Sequence, residues 1–126
     1  MTTGGLKVLI VEDSTIIRER VNILLSELAC ISKIENSADG IEALNMVSEK
    51  SPDVILLDIN LPGKSGLSVL KEIKSLSKAT VVMLTNYSDE YYRTLCSRLG
   101  ADHFLDKSTE FEKIPNLIST IYNKAV

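Results

Sequence analysis

Short aliphatic runs recur along the chain, each followed by a longer stretch whose apolar positions fall every three or four residues. Leu6 to Val11, Val54 to Leu57 and Val81 to Leu84 are apolar at successive positions, the pattern of strands in a parallel sheet covered by helices on both faces. Ile31 to Asn36 and His103 to Leu105 are weaker strands of the same series. Between the strands, Ile17, Val21, Leu24, Leu25 and Leu28 share one helical face, Ile41, Leu44 and Val47 a second, and Val69, Leu70 and Ile73 a third. A fourth helix is predicted through Tyr92, Leu95, Cys96 and Leu99 to a stop at Gly100, and a fifth carries Leu117, Ile118, Ile121 and Tyr122. Pro115 has no amide hydrogen and fits only the first turn of that last helix, so Thr109 to Ile114 is expected to be a short irregular or single-turn lead-in.

Five βα units place the chain in the α/β class as a doubly wound (βα)5 sandwich, and right-handed crossovers leave few topologies open. Composition narrows the picture. With 126 residues, 44% hydrophobic and 25% charged, and no repeat or low-complexity linker, the expectation is one domain over residues 1–126, with residues 1–5 as a flexible tail. Fourteen basic against 17 acidic residues give a net charge of −3 without a long basic run, so direct nucleic-acid binding is not expected. The aliphatic runs are too short to span a bilayer and the N-terminus lacks a secretory pattern, which predicts a cytoplasmic protein without a membrane role. Cys30 and Cys96 lack the spacing of a metal or redox pair and are expected to be buried thiols.

In such sheets ligands bind outside the carboxyl ends of the strands, so the polar residues at those ends carry the chemistry. They are Glu12 and Asp13, Asp58, Thr85, and Asp106 with Lys107. Three carboxylates on one edge repel one another unless a cation neutralises them. Mg²⁺ suits the task, because it takes oxygen ligands and needs only one or two carboxylates. A fixed charge on Lys107 and a hydroxyl on Thr85 add a site for tetrahedral oxyanions, which points to phosphoryl chemistry. Each residue alone also has a plainer reading: Glu12 and Asp13 as the acidic start of a helix, Asp58 as a turn former, Thr85 as a strand residue, Lys107 as a solvated charge, Phe104 as core. Their coincidence on one predicted edge favours the functional reading.

At these residues the chain resembles the receiver domain of two-component response regulators. The resemblance runs from Leu6 to about Tyr122 and rests on the ordered set Val8 to Asp13, Ala38 to Leu44, Asp53 to Asp58, Leu61-Pro62-Gly63 with Gly66, Met83-Leu84-Thr85, and Gly100 to Lys107. It implies a flavodoxin-like fold with a five-stranded parallel sheet in the order 2-1-3-4-5. It further implies that Asp58 is the phosphoacceptor, charged by a sensor histidine kinase or histidine phosphotransfer protein. Glu12, Asp13, Asp58 and the backbone carbonyl of Asn60 would hold Mg²⁺. Lys107 would pair with a phosphoryl oxygen, Thr85 would be the switch hydroxyl and Phe104 the switch aromatic. Phosphorylation would then change the face of helix four, strand five and helix five, which meets a downstream effector protein; dimerisation through that face is left open.

Two positions depart from the family pattern. Ser108 replaces the usual proline after the lysine, which removes the ground for a cis peptide there. Asn86 stands where a smaller residue is usual. Tyr87 and Asn60 occupy the positions that tune self-dephosphorylation, and slow hydrolysis is expected because neither is an evident base. Two other classes compete with this reading. A haloacid-dehalogenase-type phosphatase needs a second aspartate two residues after its nucleophile, where this chain has Asn60. A degenerate receiver acting as a phosphorylation-independent interaction module would be favoured by loss of Asp13, Asp58 or Lys107, and all three are present. Whether the chain stands alone or is part of a larger regulator is not decided by its residues.

Overall fold

A computed structural model describes residues 4–125. Of the tail expected over residues 1–5, the first three lie outside the described residues. The strands are β1 (Leu6–Val11), β2 (Ile31–Ser37), β3 (Val54–Leu57), β4 (Thr80–Thr85) and β5 (His103–Asp106). They alternate with α1 (Thr15–Ser26), α2 (Gly40–Lys50), α3 (Gly66–Leu76), α4 (Glu90–Arg98) and α5 (Ile114–Ala125). All pairings are parallel and the sheet order is β2-β1-β3-β4-β5, as the resemblance implied.

The unbroken apolar runs form the central strands because each strand there has a helical layer on both sides. Val8 and Ile10 of β1 pack with Val21 and Leu25 of α1 and with Ile114 and Ile118 of α5. The alternate residues Leu9 and Val11 pack with Ala43 and Val47 of α2, Val69, Leu70 and Ile73 of α3, and Cys96 of α4. Side chains alternate across a strand, so these runs split between two cores.

Helix starts follow local chemistry. Ser14, Asp39, Ser65 and Asp89 each cap a helix by accepting backbone amides of its first turn. Pro115 is the second residue of α5, preceded by a single 3₁₀ turn at Phe111–Lys113, as its missing amide requires. The stop expected at Gly100 is present, with φ +103° there.

Three packing expectations need correction. Ile41 lies on α2 but is 55% exposed, because the buried stripe runs through Gly40, Ala43 and Val47. Leu28 packs against the core from beyond the end of α1, where its amide bonds to the Leu25 carbonyl. Cys96 is buried, whereas Cys30, in the turn before β2, is only half-buried.

Candidate functional site

The sheet's hydrogen bonding continues one residue past the strands and sets the spacing of the site. The amide of Glu12 donates to Ser37 O at 3.0 Å, that of Asp58 to Val11 O at 3.2 Å, and that of Lys107 to Thr85 O at 2.9 Å. Three neighbouring loops are thereby held in register at one edge. Carboxylate oxygens of Glu12, Asp13 and Asp58 lie within 4.8 Å of one another. Glu12 and Asp58 are buried, while Asp13 is exposed.

Lys107 reaches across this edge. Its Nζ donates to Glu12 Oε1 at 2.6 Å and to Asp58 Oδ2 at 2.7 Å, with only 10% of its side chain exposed. Burial acts against the lysine's charge, but hydrogen bonds to Asp58 and Glu12 outweigh it and raise its pKa above the ordinary value. Burial likewise pushes the Glu12 carboxyl up, opposed by Lys107 and by the Ser14 amide, which donates to Glu12 Oε2 at 3.0 Å. The plainer reading of Glu12 as a helix-start acid is therefore also realised: the same carboxylate steadies the entry to α1 and holds Lys107.

Asp58 combines its two readings as well. Its Oδ1 accepts a 3.4 Å bond from the Asn60 amide in the turn, while Oδ2 binds Lys107. Gly66 supports this turn: its amide donates to Ile59 O at 2.8 Å, and a Cβ on it would lie 1.9 Å from the Asp58 carbonyl oxygen.

The open cleft over these groups is lined by Glu12, Asp13, Asp58, Asn60, Thr85, Tyr87 and Lys107, among others. The donor set is all oxygen and partly buried beside the Lys107 ammonium, which fits a hard divalent ion better than a soft one. Thr85 is fully buried and its hydroxyl accepts the Tyr87 amide at 3.3 Å. Phe104 is not brought into the cleft. It lies half-buried against the core under α4, with the Arg93 guanidinium 4.6 Å from its ring centroid. On α4, Tyr91 is 68% exposed, and Tyr92 is half-buried in edge contact with it.

The peptide bonds of the described residues are all trans, that before Ser108 included. Asp106 organises the turn in place of a proline: its Oδ1 accepts from the Ser108 amide at 2.8 Å, the Ser108 hydroxyl at 2.7 Å and the Thr109 amide at 3.2 Å. Its Oδ2 accepts from the Ser88 hydroxyl at 2.5 Å. These bonds, that from Ser88 foremost, hold the Asp106 carboxyl well below the ordinary 3.8. Sequence reasoning gave no role to Ser88, Arg93 or Glu110. An aspartate two residues before a serine is a local turn signal for Asp106, but nothing in the sequence joins it to Ser88.

Residues 8–119 match the response regulator receiver domain family. The oxygen regulatory protein NreC of Staphylococcus carnosus is 29% identical over 119 residues, 93% of this chain and 55% of that protein. The transcriptional regulatory protein YdfI of Bacillus subtilis is 32% identical over 108 residues, 86% of this chain and 51% of that protein. The chain thus spans about half the length of these curated relatives. Among solved structures, the response regulator domain of Thermotoga maritima CheB superposes with a TM-score of 0.84 at 28% identity, covering 94% of this chain and 95% of that one.

Proposed function

The chain belongs to the response regulator receiver domain family, and from that premise we propose that Asp58 is its phosphoacceptor, charged by a phosphohistidine on a sensor histidine kinase or a histidine phosphotransfer protein. One observation carries this reading: Lys107 bridges Asp58 and Glu12 at the edge where Asp13 completes an acidic cluster. A lone pair of the Asp58 carboxylate forms the new O–P bond as the donor's N–P bond breaks, and that bond's electron pair leaves on the imidazole nitrogen. Glu12, Asp13, Asp58 and the Asn60 carbonyl would hold Mg²⁺, which supplies neutralisation of the charge gathered by carboxylates and phosphoryl oxygens. Lys107 exchanges its bond to Asp58 for one to a phosphoryl oxygen while keeping Glu12. Thr85 turns its hydroxyl toward the same group, and Phe104 follows it.

These new bonds favour one arrangement of the face formed by α4, β5 and α5, so phosphorylation acts as a population shift that a downstream effector reads. The named relatives are oxygen regulatory and transcriptional regulatory proteins. In a longer regulator of that kind the effector would be its own output segment, and contact with DNA would belong there rather than to this acidic unit.

Self-dephosphorylation is slow on this reading, because Tyr87 lines the cleft and neither it nor Asn60 is an evident base for the attacking water. Intact mass after incubation with a phosphohistidine kinase and Mg²⁺ tests both statements. One added phosphoryl group, absent in Asp58→Asn, is expected, with decay over minutes or longer. Equal uptake by Asp58→Asn would overturn the acceptor assignment, and a half-life of seconds would overturn slow hydrolysis.

A further inference from the structure

The acidic cluster accounts for Asp58 and Lys107, but a second polar network beside it has no part in that chemistry. It joins the loop between β4 and α4 to the turn after β5. The Ser88 hydroxyl donates to Asp106 Oδ2 at 2.5 Å, and the Ser88 carbonyl accepts from Arg93 Nε at 2.9 Å. The far end of Arg93 bonds to Glu110 Oε1 at 3.4 Å, and that same oxygen accepts the Asp106 amide at 2.9 Å. The bonds therefore close a ring through Ser88, Asp106, Glu110 and Arg93. None of the four lines the cleft.

The ring has a rigid side and a movable side. Asp106 is held by three donors from Ser108 and Thr109, and Glu110 by Lys113 at 3.0 Å. Ser88 belongs to the short loop after Thr85; its amide donates to Asn86 O at 3.0 Å within that loop, while its hydroxyl and carbonyl both bond to the ring. Thr85 is coupled to that loop through the bond from the Tyr87 amide to its hydroxyl. To turn toward Asp58, the Thr85 hydroxyl must release Tyr87 or draw residues 86–88 with it, and the second course breaks the Ser88–Asp106 bond.

We propose that Ser88, Arg93, Asp106 and Glu110 form a clasp that holds the β4–α4 loop in its resting position and so sets how readily Thr85 moves toward a phosphoryl group on Asp58. The role is one of positioning, and it rests on the assignment of Asp58 as phosphoacceptor. Loss of the clasp shifts the resting population toward the phosphorylation-competent arrangement. A hydrogen bond to a carboxylate is worth enough for its removal to change that equilibrium about five- to tenfold.

The test compares the wild-type chain with Ser88→Ala, Ser88→Thr and Arg93→Met. Two quantities are measured: the rate of phosphorylation by phosphoramidate with Mg²⁺, read by intact mass, and hydrogen exchange at the amides of residues 87–89 without phosphodonor. Denaturant unfolding of each variant corrects the exchange for global stability. Ser88→Ala and Arg93→Met are expected to phosphorylate about five- to tenfold faster and to exchange faster at residues 87–89, with Ser88→Thr near wild type in both. Unchanged local exchange in both variants, or faster exchange without faster phosphorylation, overturns the clasp. A wild-type chain that takes up no phosphoryl group overturns the acceptor assignment instead; the exchange result then decides by itself whether the four residues restrain the loop.

Discussion

Asp106 shows how one side chain can replace a missing proline. Its carboxylate collects donors from Ser88, Ser108 and Thr109, so its charged form is favoured in the folded chain. A depressed carboxylate pKa contributes stability that is complete above the unfolded value near 3.8 and is lost as pH falls through the lower folded value. Asp106→Asn is therefore expected to flatten the acid side of the stability profile from about pH 4 downward, as followed by denaturant unfolding at each pH. An unchanged acid limb would mean that the donors hold the charged and neutral forms equally. Glu12 runs the other way, since burial raises its pKa and its charge is kept only at the cost of desolvation.

Elements matter here through their ends. Asp58 is aimed by the turn between β3 and α3, and that turn closes only because Gly66 leaves room for the Asp58 carbonyl. A methyl group there meets backbone and cannot be relieved by turning a side chain. Gly66→Ala is expected to lower stability by about 2 kcal/mol or more and to weaken Mg²⁺ binding, measured by unfolding with and without the ion. Stability loss with unchanged Mg²⁺ linkage would separate the turn from the acidic site. The residues of this turn, Leu61-Pro62-Gly63 with Gly66, were legible in the sequence as a motif, but their contact with Asp58 was not. The reverse holds for α2, where the apolar period located the helix while the buried stripe excludes Ile41. Periodicity gives spacing around a helix; the rotation of that helix is decided by what it meets, here the Lys64 carbonyl against Gly40.

Across the whole molecule, the sheet divides its apolar side chains between two cores, and the site lies at one edge, outside both. Ile118 is fully buried between α5 and the sheet and does not itself line the cleft. Ile118→Ala is expected to cost about 2–5 kcal/mol in denaturant unfolding, while the folded fraction takes up phosphoryl groups at the wild-type rate. A matching fall in transfer rate would show that the α5 side of the core positions the site. Strand runs, helix periods, helix caps and the polar residues at strand ends are local features, so the sequence by itself determined the class of fold, the edge where the candidate residues gather and most of those residues. The sharing of Lys107 between Glu12 and Asp58, the exclusion of Phe104 from the cleft and the ring from Ser88 to Glu110 were decided only by tertiary structure. Each of these joins residues far apart in the chain, and such contacts are set by strand register and helix packing, which no local pattern encodes.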